Sequence, residues 1–327
     1  MDAHCRPVGA IDSLRHWTGG LRPRLLTVAP LGLRIAIAVG VCLIGARVNG
    51  ETSDAPDAVE RDPYGAIVRG DVNAKKLAFI FTGDEFGESA GPILDELKAR
   101  RAEGSFFLTG KFLRDRKLKP VVRRMVDEGH YLGPHSDSHP LYCDWEARDQ
   151  SLVTEAFFTA DLAKNLAELR AVGAMRPGAP AYFVAPYEWY NRDHVAWSRK
   201  AGVELVNFTP GSGSNRDYMR EDQPKFVASR QIRDDILAYE QKDPHGLNGF
   251  LLSLHVGSGR RDPFHTEFGT LCAKLTKRGY KFVRVDELLK HKLRCGAVGT
   301  PVGGLSEADD GLHRRVNSAS ETPPTTD

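Results

Sequence analysis

Tyr131-Leu132-Gly133-Pro134-His135-Ser136-Asp137-Ser138-His139-Pro140 reads as a strand running straight into two histidines four residues apart. That spacing lets two imidazoles converge on one metal ion, from a helical turn or from a tight loop leaving a strand. Taken alone, such a pair is more often a surface or core coincidence than a site. Three distant stretches change the weighting: Phe81-Thr82-Gly83-Asp84-Glu85, Phe183-Val184-Ala185-Pro186-Tyr187 and Leu251-Leu252-Ser253-Leu254-His255. Each also places polar or turn-forming residues at the end of an apolar run.

Strand and helix signals alternate around these stretches. Leu77 to Thr82 is a continuous apolar run, as in a strand buried on both faces. Ile93, Leu94 and Leu97 give a helical stripe, and Ser105 to Thr109 a second strand. Pro120 opens a short helix that Gly129 ends. A long helix is predicted over 150–172, closed by Gly173, then a strand at Tyr182 to Ala185. A helix around His194 to Ala201, a strand at Glu204 to Val206, a loop over 209–224 and a helix over 231–241 follow. Phe250 to Leu254 and Lys281 to Val285 are the late strands, flanking a helix over 264–278, and Asp286 to Leu289 closes the pattern. This alternation implies an α/β fold with a mostly parallel sheet. The four stretches fall at strand C-terminal ends, where α/β barrels gather their active sites.

Forty-five basic and 43 acidic side chains nearly balance, so nothing in the charge points to nucleic acid or an acidic polymer. Five cysteines, Cys5, Cys42, Cys143, Cys272 and Cys295, contain no Cys-x-x-Cys, which argues against a disulfide framework and a thiolate zinc site. Arginines at 22, 24 and 34 precede the uncharged run 35–46, followed by Gly50. That layout is read as a secretory signal within residues 1–50, cleaved between about Ala46 and Gly50, and hence as an exported protein. Membrane anchoring through residues 25–46 is the alternative reading. Residues 51–74 read as a linker, 75–294 as the catalytic domain and 295–327 as a disordered tail.

Two imidazoles and a carboxylate make a hydrolytic metal set that leaves a position for water. A second carboxylate can take the water proton, a separate histidine can protonate the leaving group, and a backbone N–H can hold the oxyanion. The inventory suits metal-assisted hydrolysis of an acyl bond.

At these residues the chain resembles the polysaccharide deacetylases with the NodB-homology domain, carbohydrate esterase family 4. Thr82-Gly83-Asp84-Glu85-Phe86 occupies the place of the family's Thr-Phe-Asp-Asp-Gly. His135-Ser136-Asp137-Ser138-His139 matches His-Ser/Thr-x-x-His in full, Val184-Ala185-Pro186-Tyr187 keeps the Pro-Tyr of the third motif, and Leu254-His255 matches the last. The resemblance runs from about Leu77 to Leu289. It implies a distorted (β/α)7 barrel and hydrolysis of N- or O-acetyl groups on an acetylated carbohydrate substrate. It also implies a divalent metal, zinc first, with cobalt, nickel or manganese as alternatives. Position by position it implies Asp84 as general base, Glu85, His135 and His139 as metal ligands, the Tyr187 N–H as oxyanion donor and His255 as general acid. Trp189, Tyr142 and Tyr187, together with neighbouring Trp145 and Tyr190, are candidate sugar contacts. Arg260, Arg261 and His265 are read as a solvated loop.

Three departures carry expectations. Glu85 is one methylene longer than the family's aspartate. Val184 replaces the arginine that pairs with the base, so Asp84 is expected to lack a cationic partner and to hold its proton more tightly. The aspartate and tryptophan partners of the acid histidine find no match between Asn207 and Gly213. Hydrolysis of a small amide, and a carbohydrate-binding relic without turnover, are the competing readings.

Overall fold

The computed structural model describes residues 59–175 and 181–289. The expected signal or anchor, the tail, and Cys5, Cys42 and Cys295 lie outside the described residues. Cys143 and Cys272 are buried and unpaired. Among the described residues no helix is long and apolar enough to cross a membrane.

Nine strands are described: β1 (Glu60–Arg61), β2 (Ile67–Arg69), β3 (Lys76–Gly83), β4 (Ser105–Leu108), β5 (Tyr131–Pro134), β6 (Tyr182–Phe183), β7 (Glu204–Leu205), β8 (Phe250–His255) and β9 (Lys281–Phe282). The helices between them are α1 (Ala90–Ala99), α2 (Gly110–Arg114), α3 (Lys119–Asp127), α4 (Glu155–Ala171), α5 (Arg192–Lys200), α6 (Ser229–Lys242), α7 (His265–Lys277) and α8 (Val285–Leu289). The main sheet runs β1-β2-β8-β3-β4-β5, with β9 against β3. The pairs β8–β3, β3–β4 and β4–β5 are parallel.

The sheet curls into a barrel because the small β6–β7 sheet fills the gap between its ends. At one seam the Val184 N–H donates to Pro134 O at 3.3 Å; at the other the Asn207 N–H donates to Ile67 O at 2.8 Å, beside the Ile67–Val206 bridge. Strands β2 to β8 thus make the seven staves of the expected (β/α)7 barrel.

Period two along each strand sorts the side chains into two cores. Leu77, Phe79 and Phe81 point outward into the layer packed with Leu94, Leu97, Phe268 and Leu271 of α1 and α7. Ala78 and Ile80 point inward and meet Phe107, Tyr182, Val184 and Leu251 inside the barrel. Both faces are therefore dry, which is why Leu77 to Phe81 reads as unbroken apolar sequence. The outer layer is rich in phenylalanine: the rings of Phe81 and Phe106 stack at 4.9 Å across β3 and β4.

The expected linker over 51–74 is corrected where it is described. Residues 59–74 are part of the domain, with Ile67 fully buried as an inward-facing residue of β2. Arg69 pairs with Phe250 across β2 and β8 and sends its guanidinium to Asn248 O at 2.9 Å and Gly246 O at 3.0 Å. Helix α2 was not foreseen, and the helix expected from residue 150 starts at Glu155, capped by the Thr154 hydroxyl.

Gly249 joins this seam to β3. Its φ is +67°, and a Cβ there would strike the carbonyl of Gly70. Gly249→Ala is expected to lower the unfolding free energy by ~2 kcal/mol. Urea unfolding followed by circular dichroism checks this; a midpoint equal to that of the parent would remove the close approach as the reason for glycine.

Candidate active site

Strand parity delivers the chemistry to one mouth of the barrel. Counting inward positions from Ala78 and Ile80 leads past Thr82 to Asp84; from Phe107 to Thr109; from Tyr131 through Gly133 to His135; from Leu251 through Ser253 to His255. The adjacent register of Thr82 with His255 sets the ends of β3 and β8 side by side.

The histidine loop is tightly built. Gly133 leaves no room for a Cβ, which would meet the rings of Phe107 at 2.7 Å and Tyr131 at 2.9 Å. Ser136 and His139 both take positive φ, +68° and +56°, and the Ser136 hydroxyl accepts the His139 N–H at 2.9 Å. Helix α4 holds the loop from one side. Asn165 Oδ1 accepts the His135 N–H at 2.9 Å, while Asp161 accepts the Asp137 N–H at 2.8 Å and the Ser138 hydroxyl at 2.5 Å. Asp161 and Asn165 are polar residues on the buried stripe of α4, one turn apart. That break in an apolar stripe was the legible sign of their role.

His135 Nδ1 bonds to Val184 O at 2.8 Å, which reserves Nε2 for a ligand. The His135 and His139 rings lie 5.0 Å apart. Burial holds the His135 imidazole down to about 4 and drives His139 well below its ordinary range, so both are neutral at pH 7. A neutral imidazole with a lone pair is the form a metal takes.

Asp84 is the carboxylate beside this pair. Its Oδ2 lies 3.9 Å from His139 Nδ1, and its Oδ1 accepts the Thr109 hydroxyl at 2.9 Å. Thr109 serves twice, since the same Oγ1 caps α2 by accepting the Phe112 N–H at 3.1 Å. Contrary to expectation Asp84 does have a cationic neighbour: Lys111, on α2, sets its Nζ 3.6 Å from Oδ2 and so supplies the charge that Val184 does not. Burial nevertheless raises the Asp84 carboxyl above its ordinary range, with Lys111 pulling the other way.

Glu85, expected as the third ligand, lies just past β3 with its side chain 66% exposed and its Oε1 3.9 Å from Lys111 Nζ. Among the described residues no three His, Cys, Asp or Glu side chains form a closed ligand set. His135 and His139, with Asp84 at their edge, are the residues here whose donor atoms could hold a divalent cation.

His255 has an acidic partner outside the span Asn207 to Gly213. Asp217, buried in the 3-10 turn Ser214–Tyr218, accepts from the His255 backbone N–H at 2.8 Å through Oδ2 and bonds ring Nδ1 at 2.7 Å through Oδ1. Burial alone would lower the imidazole pKa; the charge and hydrogen bond of Asp217, with the charge of Glu188, outweigh it and raise the value above the ordinary one. Asp217 lies four residues beyond the span Asn207 to Gly213, inside a segment read as loop.

Tyr187 and Glu188 both have positive φ, +59° and +52°, a strained pair for side-chain-bearing residues. The turn sets the Tyr187 ring 4.5 Å from that of His139, with Trp145 5.7 Å beyond. Trp189 is half-buried, its Nε1 donating to Asp144 O at 3.1 Å and the Arg148 guanidinium 4.0 Å from its ring. Tyr142, expected at the mouth, is corrected: it is fully buried and stacked on His194 at 5.0 Å, with no face to offer a sugar. Tyr190 is equally buried, its hydroxyl donating to Asp62 at 2.7 Å. Arg260 is also no solvated side chain; it is buried against Phe226 and donates to Val227 O at 2.8 Å.

The comparisons with known proteins agree with this layout. The model of the family described as polysaccharide deacetylase matches residues 70–206, which hold Asp84, the histidine pair and Tyr187. The chain is 39% identical over 232 residues to an uncharacterized 30.6 kDa protein of Geobacillus stearothermophilus, covering 70% of this chain and 77% of that one. It is 24% identical over 234 residues to a peptidoglycan-N-acetylglucosamine deacetylase of Bacillus cereus, covering 71% and 97%. In fold it resembles a family 4 carbohydrate esterase of Bacillus subtilis, with a TM-score of 0.55 at 23% identity over 69% of this chain and 86% of that one. With its barrel, its His-Ser-x-x-His loop and these relatives, the chain belongs to the polysaccharide deacetylase family.

Proposed function

We propose that this protein is a metal-dependent hydrolase that removes acetyl groups, N- or O-linked, from a carbohydrate polymer or oligosaccharide. The observation that carries the reading is the pair of neutral histidines, His135 buried and His139 half-buried, with Asp84 on one side and the Asp217-anchored His255. Relatives named for peptidoglycan and chitooligosaccharide deacetylation support the substrate class. The apolar run 35–46 supports export to where such polymers are found.

His135 and His139 would hold the ion, with Asp84 Oδ2 the nearest carboxylate oxygen. Zinc suits two imidazoles and an oxygen donor. When bound, the ion polarises the acetyl carbonyl and the attacking water. The chain's residues do the rest. Asp84 accepts a proton as the water oxygen bonds to the acetyl carbon. The Tyr187 N–H is the donor assigned to the carbonyl oxygen as it becomes an oxyanion. His255 gives its Nε2 proton to the leaving nitrogen or oxygen while the C–N or C–O bond breaks and its electron pair stays on that atom. The products are acetic acid, which ionises, and a free amine or alcohol.

Acetate release from chitopentaose, acetylated peptidoglycan sugars and acetylxylan, before and after chelation, tests the reading. Release that stops with chelator and returns with zinc supports it. No release from any of the three by zinc-loaded protein would move the assignment to a small-amide substrate or to carbohydrate binding without turnover.

A further inference from the structure

The loops that follow β3 and β8 are stitched together along one edge of the mouth. The Ser89 N–H donates to Val256 O at 2.8 Å, and the Glu88 carboxylate accepts the Ser258 and Gly259 N–H groups at 2.8 and 2.7 Å. Close packing at two glycines completes the seam. A Cβ on Gly87 would strike Leu118 at 2.5 Å, and one on Gly257 would lie 2.8 Å from the Gly87 nitrogen. Where the first loop leaves β3, Asp84 is tied to Thr109 and Lys111. Phe86 stands between these fixed points. Its ring lies over Gly259, with Cε1 3.1 Å from where a Cβ there would be, and the residue is 44% exposed. Two residues of chain keep its Cα within ~7 Å of that of Asp84.

Left partly in water, this ring forfeits much of the stabilisation that burial would bring, and a polar side chain would occupy the same exposed turn without that loss. A lone exposed apolar residue is ordinary on a protein surface. Phe86 differs in its place. Four large apolar side chains are exposed among the described residues, and two of them, Phe86 and Tyr187, are rings on the loops that carry the site. The Tyr187 ring lies 4.5 Å from that of the candidate metal ligand His139. Phe86 is borne by the loop of the base and rests on the loop that follows the acid, His255, which is where the leaving group has to lie.

We propose that Phe86 is a sugar-binding platform, whose exposed face stacks on a pyranose unit of the carbohydrate on the leaving-group side of the acyl bond. A β-linked pyranose with equatorial substituents shows axial C–H groups on its ring faces, and these sit well on the negative face of an aromatic ring. The stitched loops present that ring already in place, so little ordering is lost on binding. A small amide without a sugar ring gives Phe86 nothing to hold. The part played in turnover rests on the deacetylase reading; the binding of sugar does not.

Two measurements on the full chain loaded with zinc separate them. Calorimetry uses deacetylated chains, which are bound without being consumed: glucosamine pentamer, deacetylated peptidoglycan sugars and xylopentaose. Phe86→Ala is expected to weaken the tightest of these about tenfold, equivalent to ~1.4 kcal/mol. Phe86→Tyr, which keeps a stacking face, is expected to stay within about threefold of the parent, whereas Phe86→Leu, apolar but without a ring, is expected to lose nearly as much as alanine. In acetate release from the matching acetylated sugar, Phe86→Ala is expected to raise KM about tenfold and to hold kcat within about threefold. Equal binding by the parent and Phe86→Ala overturns the platform, and so does binding by Phe86→Leu equal to that of the parent. A fall in kcat larger than the rise in KM also overturns it, since that is what a loop disturbed beside Asp84 would give. Absence of binding to all three chains by the parent does the same, whatever acetate release shows. Weakened binding by Phe86→Ala in a protein that releases no acetate from any sugar keeps the platform and overturns the deacetylase reading instead.

Discussion

Asp84→Asn is expected to reduce kcat/KM for acetate release by about 10³-fold, equivalent to ~4 kcal/mol of transition-state stabilisation. The substitution preserves shape. Asparagine Oδ1 can still accept the Thr109 hydroxyl that now lies 2.9 Å from Asp84 Oδ1. What it cannot do is take a proton from water. The loss is therefore expected in kcat, with KM little changed, as for an interaction made in the transition state. Asp84 suits the task because burial lifts its carboxyl above the ordinary carboxylate range, which makes it more basic, with Lys111 pulling the other way. Zinc analysis of the same variant sorts its two possible duties. Full zinc content with the activity lost identifies a base, and lost zinc identifies a ligand. Glu85→Gln is the control, expected to change kcat/KM less than about threefold because its carboxylate is largely exposed. Activity of Asp84→Asn within fivefold of the parent would remove Asp84 from the chemistry.

The contrast between Asp84 and Glu85 also shows what a sequence does and does not disclose. The parity of β3 was there to be read: Asp84 shares the phase of Ala78 and Ile80, Glu85 that of Phe79 and Phe81. Because the strand is buried on both faces, both phases are apolar, and nothing local says which one faces the barrel interior. The four motif stretches were legible, since each is a strand end followed by residues with few structural reasons to be there. Strands β1 and β2 were not, because Ala66, Ile67 and Val68 are a three-residue apolar patch, too short to read as a strand, and become a stave only through pairing with β8 and Val206. Lys111 and Asp217 belong to the same class. Neither stands in a motif, and the contacts that give each a role join residues 27 and 38 positions apart. A charge lost at one position of a family pattern, here Val184, was supplied from another element, which only the folded chain reveals.

Asp217→Asn is expected to lower kcat by about 10²-fold or more and to move the alkaline limb of the pH–rate profile downward. The direction follows from what surrounds His255. Asp217 raises its pKa by charge and by the Nδ1 hydrogen bond, while burial acts to lower it. With asparagine at 217 the first influence goes and the second stays, so the imidazole loses its proton at lower pH. A general acid works only while protonated, so activity at pH 8 falls more than activity at pH 6. Asparagine can also present its amide N–H to Nδ1, which then accepts and holds no proton, so the imidazolium that donates to a leaving group is further disfavoured. Stability carries the opposite signature. A histidine whose folded pKa is raised stabilises the fold below its unfolded value near 6.5, a contribution lost as pH climbs through the folded value. The parent is therefore expected to exceed Asp217→Asn in unfolding free energy by more at pH 5.5 than at pH 8. Parallel pH–rate profiles for the two proteins would show that Asp217 merely props the loop. A narrowed profile, with the stability gap widest in acid, would show that its charge acts on the proton His255 gives away.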